Sequence, residues 1–408
     1  MTYNAPAVRS HFPALATGIA HFDGPGGTQT PRQVGAAIAL TLTRPLSNRG
    51  TRSLPERNAD DAVTCFRQAC ADLLNTDPLG IVYGRSATAL TYDFSRHLSH
   101  GWGPGDEIVV TRLDHDANIR PWVQAAERAG ATVRWVDFDP ETGELSAEAV
   151  AAQVNDNTQL VAVTAASNLI GTRPPIAEIA RITHGVGALL WVDGVHYVPH
   201  ASVDLEALGA DFFVCSPYKF LGPHCGVLAA SPELLDTIHP DKLLPSTDAV
   251  PERFEFGTLP YETLAGVTAA VDFLAALVPA DMTDPAAPAP TRRDGLVRSS
   301  LALERHEKQL LELLESRLAE LPGVTVWSRA AERTPTLLLT FAGKSAADAS
   351  HALFERKILA PAGSFYAIEA SRHLGLGDEG GLRIGLAPYN TAADVERLLV
   401  FLEEFLAA

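Results

Sequence analysis

Long apolar runs are missing from this 408-residue chain. No stretch approaches the ~20 consecutive apolar residues that a membrane helix needs, so no membrane partner is expected. The opening residues, MTYNAPAVRSHFPALATG, carry neither a basic n-region nor a continuous apolar core. No secretory leader is expected, and the expected place of work is the cytoplasm. Cysteine is scarce, with only Cys65, Cys70, Cys215 and Cys225. So few thiols in so long a chain make no disulfide framework, and their spacing fits no common zinc pattern. No metal site is expected, and the thiols are expected to be buried and reduced. Positive charge is in deficit: 32 Lys and Arg stand against 49 Asp and Glu, a formal net charge of -17. A field of that sign repels nucleic acid and anionic surfaces on average, although a local basic pocket is compatible with it.

Against these absences the composition is ordinary for a soluble globular protein, with 46% apolar and 20% charged residues. The length suits one large domain and a smaller one. From Asp23 to about Leu277, short apolar runs alternate with amphipathic ones. EIVVTRL (Glu107 to Leu113), VRWVDFD (Val133 to Asp139), QLVAVTAAS (Gln159 to Ser167), GALLWVDG (Gly187 to Gly194) and ADFFVCS (Ala210 to Ser216) read as strands. RPWVQAAERAG and PIAEIARITHGVG between them read as helices. An earlier helix carries Val63, Phe66, Cys70, Leu73 and Leu74 on one stripe. The alternation predicts an α/β domain, a mostly parallel sheet covered on both faces.

VPADMTDPAAPAPTRRDG, residues 278–295, is rich in Pro and Ala and reads as a linker or mobile loop. A long helix is expected from roughly Leu296 to Leu321. Strand candidates VTVWS, PTLLLTFAG and GLRIGLAPY follow, with two helices. The last helix is expected to begin at Thr391, with Asp394 completing a capping box and Val395, Leu398, Leu399, Leu402 and Leu406 on its buried stripe. The expected division is a large domain over 18–277, the linker 278–295, and a small α+β domain over 296–408 together with 1–17. No internal repeat is visible.

Ligands of an open parallel sheet sit beyond the carboxyl ends of its strands. The polar residues at those ends are His115 in TRLDHDAN, Asn168 in AASNLIGT, Asp193 and His196 in WVDGVHY, and Ser216, Tyr218 and Lys219 in VCSPYK. GRSATAL adds a small-residue turn opening a helix at Ser86, Ala87 and Thr88, where the helix N-terminus can hold an anion. Each has a bland reading: a surface lysine, an aspartate in a turn, a structural histidine, a helix cap at Ser86, an Asx-turn at Asn168. Their common placement on one rim points instead to pyridoxal phosphate. That cofactor needs a lysine for a Schiff base, a carboxylate at the ring nitrogen and a phosphate cradle. Lys219 and Asp193 meet the first two needs. Ser86, Thr88 and Ser216 line the phosphate, His115 stacks on the ring, and Asn168 and His196 bond its hydroxyl.

The sequence resembles the cysteine desulfurase-like branch of the class V aminotransferases, which are fold-type I pyridoxal-phosphate enzymes. The resemblance runs from HFDGPGGTQTP to LAPYNTAADVERLL. DHDANIRPW is similar to the family's ring-stacking segment, with His115 at the stacking position. SNLIGT is similar to its hydroxyl-contacting segment. The block from VDGVHY to SPYKFLGPHCGVL resembles the stretch joining the pyridinium aspartate to the lysine. The resemblance implies a seven-stranded, mostly parallel large domain and a homodimer with shared active sites. It further implies that Thr258 in FEFGTLP reaches the neighbouring subunit's phosphate, that Arg383 in GLRIGLAPYNT holds the substrate carboxylate, and that Asn48 and Arg49 in SNRG line the mouth.

Three departures stand out. The family commonly has Gln where His196 stands and His where Tyr218 stands; both replacements keep a hydrogen-bonding group. Desulfurases carry a nucleophilic cysteine shortly before the carboxylate-binding arginine. Here that region reads LAPAGSFYAIEASRHLGLGDEGGLR, without a cysteine. This pattern is similar to a subgroup lacking that nucleophile. The resemblance therefore implies an amino-acid enzyme working through an external aldimine, with Lys219 as general base and acid at Cα. Lyase chemistry on a sulfur- or other β-substituted amino acid, without an enzyme persulfide, is the first expectation. Transamination is the alternative, then racemisation or epimerisation. A non-catalytic binding protein of the same fold is the reading from another class.

Overall fold

The computed structural model describes residues 3–279 and 289–407. The first strand, β1 (Ala20–His21), pairs far away with β11 (Ile358–Leu359). The large sheet holds β2 (Ile81–Gly84), β3 (Glu107–Thr111), β4 (Thr132–Val136), β5 (Thr158–Thr164), β6 (Leu189–Asp193), β7 (Phe212–Cys215) and β8 (Gly226–Ala230). Its order is β2-β8-β7-β6-β5-β3-β4. Only β8 runs against its neighbours; the other pairings are parallel. The expected seven-stranded, mostly parallel sheet is present. The strands are shorter than the apolar runs suggested: the run from Val133 to Asp139 stays in the sheet only to Val136.

Both faces of the sheet are buried, and the strand period assigns residues to them. Val109, Val161, Val163, Leu190, Val192, Phe213, Cys215 and Val227 enter one apolar cluster. Ile108, Val110, Leu160, Ala162, Trp191, Phe212, Val214 and Leu228 enter another on the opposite face. Successive side chains of a strand point to opposite faces, so one continuous apolar run serves two cores.

The second unit is built on an antiparallel sheet of β9 (Val324–Val326), β10 (Thr336–Phe341), β12 (Ala362–Gly363) and β13 (Gly381–Gly385), in the order β12-β13-β10-β9. It has its own core, with Leu337, Leu339, Leu382 and Ile384 packed on Leu398, Leu399 and Leu402 of the last helix. That helix runs Ala392–Ala407. Thr391 and Asp394 cap it reciprocally, as expected. Leu406 is only half-buried.

The long helix begins one turn before its expected start and ends earlier, at Arg292–Leu318. The cause is local: Thr291 Oγ1 accepts from the Asp294 N–H, and Asp294 returns the bond to the Thr291 N–H. Residues 292–295, read from sequence as linker, are therefore the first turn of the helix; 280–288 of that segment lie outside the described residues. Residues 3–17 touch both units. Phe12 packs edge-on to Phe273 and Tyr389, and Arg9 pairs with Asp394. Among the described residues, no helix is long and apolar enough to cross a membrane.

Candidate active site

β7 delivers its last buried residue, Cys215, and the chain then turns at once through Pro217–Lys219. The turn holds Lys219 half-buried at the carboxyl end of the sheet. Its ammonium donates to the Pro25 carbonyl and lies 4.9 Å from the centre of the Tyr218 ring. Burial, and then the Arg383 guanidinium, push the Lys219 pKa down to about 7, against the opposing pull of Asp193. Near neutrality part of the population is a free amine, the nucleophilic form.

Asp193 ends β6, the strand beside β7, and is 7% exposed. Burial raises its pKa to about 6, while the Val195 N–H at 2.9 Å and Lys219 favour the charged form. Gly194 follows because a Cβ there would collide with the Phe213 ring.

The helix Ala87–Leu98 opens on the same rim. Ser86 caps it, its hydroxyl accepting from the Ala89 N–H at 3.1 Å. The N–H groups of Ala87 and Thr88 precede any intrahelical acceptor, so they are free for an anion. β8 approaches this turn at Gly226, where a Cβ would meet the Ser86 backbone.

His115 follows β3 in a turn tied from below. Asp114, fully buried, accepts from Asn118 Nδ2 at 2.7 Å and from the Thr111 hydroxyl. Burial raises the Asp114 pKa to about 8, against the pull of the Asn118 and Thr111 donors. His115 Nδ1 accepts from the Ala117 N–H at 3.0 Å. Burial, Lys219 and Arg383 lower the His115 pKa to about 4, which keeps the ring neutral.

The second unit closes the site. Arg383 lies on β13 and is 2% exposed. Its Nη1–H donates to the Asn168 carbonyl at 2.9 Å, and among the described residues no group accepts from its Nε–H. A buried guanidinium without a carboxylate partner is poised for an anion. Phe365 covers it, and Tyr366 stacks on His115 at 5.5 Å between ring centres. Both aromatics hold left-handed backbone, φ +53° and +60°, a conformation uncommon for bulky side chains. Two bonds keep it there: Asn168 Nδ2 donates to the Phe365 carbonyl, and the Asp116 N–H to that of Tyr366.

These groups line one cavity of about 650 Å³. Of the expected residues it contains Ala87, Thr88, His115, Asn168, Asp193, His196, Ser216, Tyr218, Lys219 and Arg383. Ser86 stands behind its wall as a cap. Asn48, Arg49 and Thr258 are not brought to it within one chain. All three are exposed, and Arg49 is held by Asp60 and Glu252. Pro25, Tyr92 and Arg120 line the cavity without having been singled out, and Phe365 and Tyr366, from the cysteine-free stretch before Arg383, line it too. Tyr92 had a signal, standing one helical turn beyond Thr88; the Pro25 carbonyl had none, and of the two aromatics only the left-handed backbone was unsignalled.

The residues fit a small aromatic phosphate. A depressed amine, a buried carboxylate and a helix N-terminus face one space. Asn168 Oδ1, His196 Nδ1 and Arg383 Nε are buried there without partners among the described residues, and groups of that kind normally have one.

No cysteine lines the cavity. Cys70, Cys215 and Cys225 are buried, and burial pushes the Cys225 thiol up to about 12. The expectation of buried thiols fails at Cys65, which is exposed on the outer face of the helix Leu54–Leu74.

Comparison with known proteins agrees with this geometry. The sequence profile of the family Aminotransferase class-V matches residues 20–286 and 299–398. Uncharacterized protein MT3887 of Mycobacterium tuberculosis is 31% identical over 401 residues, covering 98% of both chains. Aminotransferase-like protein FGM3 of Gibberella zeae is 30% identical over 424 residues, again covering 98% of both. Among solved structures, the Escherichia coli cysteine desulfurase CsdA, in its S-sulfonic acid form, superposes with a TM-score of 0.86 at 25% identity, covering 100% of this chain and 99% of that one. The chain belongs to the class V aminotransferase family and is a pyridoxal-phosphate-dependent enzyme of the cysteine desulfurase-like kind.

Proposed function

We propose that this enzyme binds pyridoxal phosphate in the cavity through Lys219 and cleaves a β-substituent, of sulfur or another leaving group, from an amino acid without forming a persulfide on any of its own cysteines. The observation carrying this reading is the wall beside Arg383. Phe365 packs on the guanidinium, the stretch from Leu359 to Arg383 carries no cysteine, and no cysteine lines the cavity.

The residues divide the work. The free N–H groups of Ala87 and Thr88, with Ser216, would hold the phosphate, and Ser86 caps the helix that presents them. His115 would cover the ring, Asn168 and His196 would meet its hydroxyl, and the Asp193 carboxylate would hold the ring nitrogen. Bound pyridoxal phosphate supplies an electron sink beside the amino acid's Cα. Arg383 takes the substrate carboxylate with its unpaired N–H groups. Lys219, with a pKa lowered to about 7, would accept the Cα proton and return one, because its neutral and charged forms are both populated near pH 7. Phe365 lies over Arg383, and Tyr366, 76% exposed, stacks on His115 at the mouth of the cavity.

The same reading makes the enzyme a homodimer. Thr258 is exposed and away from its own chain's cavity, as a residue serving a neighbour's phosphate would be. Leu243, Leu244 and Phe256 are 72%, 97% and 56% exposed, and a partner subunit would cover them.

A screen of amino acids decides the reaction type, following keto acid, ammonia and sulfide together. Release of ammonia and the β-substituent with keto acid supports elimination. Keto acid formed only with a second keto acid as amino acceptor would replace this reading with transamination.

A further inference from the structure

His196 follows β6 and joins the two units. Its Nε2 lies 2.9 Å from Thr336 Oγ1 and 3.1 Å from Thr334 Oγ1, both contributed by the second unit. Thr334 Oγ1 is also 3.3 Å from the Gly171 carbonyl oxygen. Thr336 Oγ1 has no other partner among the described residues, and Thr336 is 0% exposed. His196 Nδ1 is buried and unpaired, on a ring that lines the cavity. Burial, His200, Arg383 and Lys219 all hold the His196 pKa well below its ordinary value. The ring is therefore neutral and carries one N–H.

Counting hydrogens decides which nitrogen has it. With the proton on Nε2, the ring donates to the threonines. Thr334 can pass its hydrogen to Gly171, but the hydrogen of Thr336 is left without an acceptor in a sealed position. A buried unpaired donor is costly. With the proton on Nδ1, Thr336 donates to Nε2 and Thr334 to Gly171, so every hydroxyl hydrogen is placed. Only the Nδ1–H remains, and it is on the ring that lines the cavity, where water or a ligand oxygen can accept it, whereas the Thr336 hydrogen is sealed off from both.

We propose that Thr336 is a positioning residue that fixes His196 in its Nδ1–H tautomer, so that His196 presents a donor, and never an acceptor, to an oxygen of the bound ligand. A glutamine side chain would carry both a donor and an acceptor and could turn either way; the histidine held by Thr336 cannot. That the oxygen belongs to pyridoxal phosphate rests on the function proposed above; the tautomer does not.

The test is nitrogen NMR of ¹⁵N-histidine-labelled protein freed of cofactor, then titrated with pyridoxal phosphate, with the His196 signals assigned by loss in His196→Gln. The expected wild-type spectrum shows a protonated Nδ1 and an unprotonated Nε2. Thr336→Val should move the proton towards Nε2, where Thr334 can still accept, and weaken pyridoxal phosphate binding about tenfold. Thr336→Ser should restore both, and Thr334→Val should leave the proton on Nδ1. A wild-type His196 protonated on Nε2 overturns the proposal, and so does a Thr336→Val protein with an unchanged tautomer. The wild-type spectrum alone decides the tautomer if the valine variant does not fold. A protonated Nδ1 in a protein that does not bind pyridoxal phosphate upholds the tautomer and refutes the cofactor assignment.

Discussion

The guanidinium carbon of Arg383 lies 3.6 Å from the centre of the Phe365 ring. The contact fixes the plane of the guanidinium while its Nε–H is left without a protein partner. A cation over an aromatic face contributes about 0.5–2 kcal/mol. Phe365→Ala should therefore raise KM for the amino acid about two- to thirtyfold and change kcat less. Steady-state kinetics on the preferred substrate checks this. An unchanged KM would show that the ring does not orient the arginine.

The low pKa of Lys219 gives a pH dependence with a definite sign. The neutral amine is the form that attaches to the cofactor, and it is lost as pH falls through about 7. Uptake of pyridoxal phosphate by the cofactor-free enzyme should slow below pH 7 and level off above it. Lys219→Ala should leave no cofactor that borohydride can fix to the chain. Peptide mapping that still finds a lysine-linked cofactor in that variant would move the role elsewhere.

Asp193→Asn keeps the shape of the side chain and the bond from the Val195 N–H, but removes the charge. The variant should retain cofactor and lose turnover by about two orders of magnitude or more. Near-normal turnover with a full complement of cofactor would exclude the aspartate from the ring nitrogen.

Much of this site was legible in the sequence because strand ends are legible. Short β-branched runs ending in Asp193, or just before Ser216 and Lys219, put those side chains on one rim once the sheet is parallel. The helix start at Arg292 was also written in the chain, as Thr291 followed by Asp294, but the Pro- and Ala-rich stretch before it masked the cap. The left-handed turn at Phe365 and Tyr366 was not legible. Nothing in GSFYA favours positive φ for two aromatics; the turn is held by distant partners, Asn168 and Asp116. The bond from His196 to Thr336 crosses 140 positions and two units, and no local pattern announces it.

Thr258 lies outside its own chain's cavity, so the phosphate contact proposed for it would need a second subunit. Sedimentation at assay concentration should show a dimer. Thr258→Val should weaken pyridoxal phosphate binding about tenfold through one lost hydrogen bond to phosphate. A strictly monomeric species with full activity would contradict both expectations.

The most direct test of the central claim is turnover without thiols. A variant with Cys65, Cys70, Cys215 and Cys225 all replaced by Ala or Ser is compared with the native enzyme, and native enzyme trapped during turnover is examined by intact mass and peptide mapping. Cys70, Cys215 and Cys225 are buried, so trapping answers the question even if that variant does not fold. The account predicts that the folded variant keeps its turnover and that none of the four native cysteines gains a sulfur atom. Loss of turnover with the cofactor still bound, or a persulfide on any of the four, would contradict it.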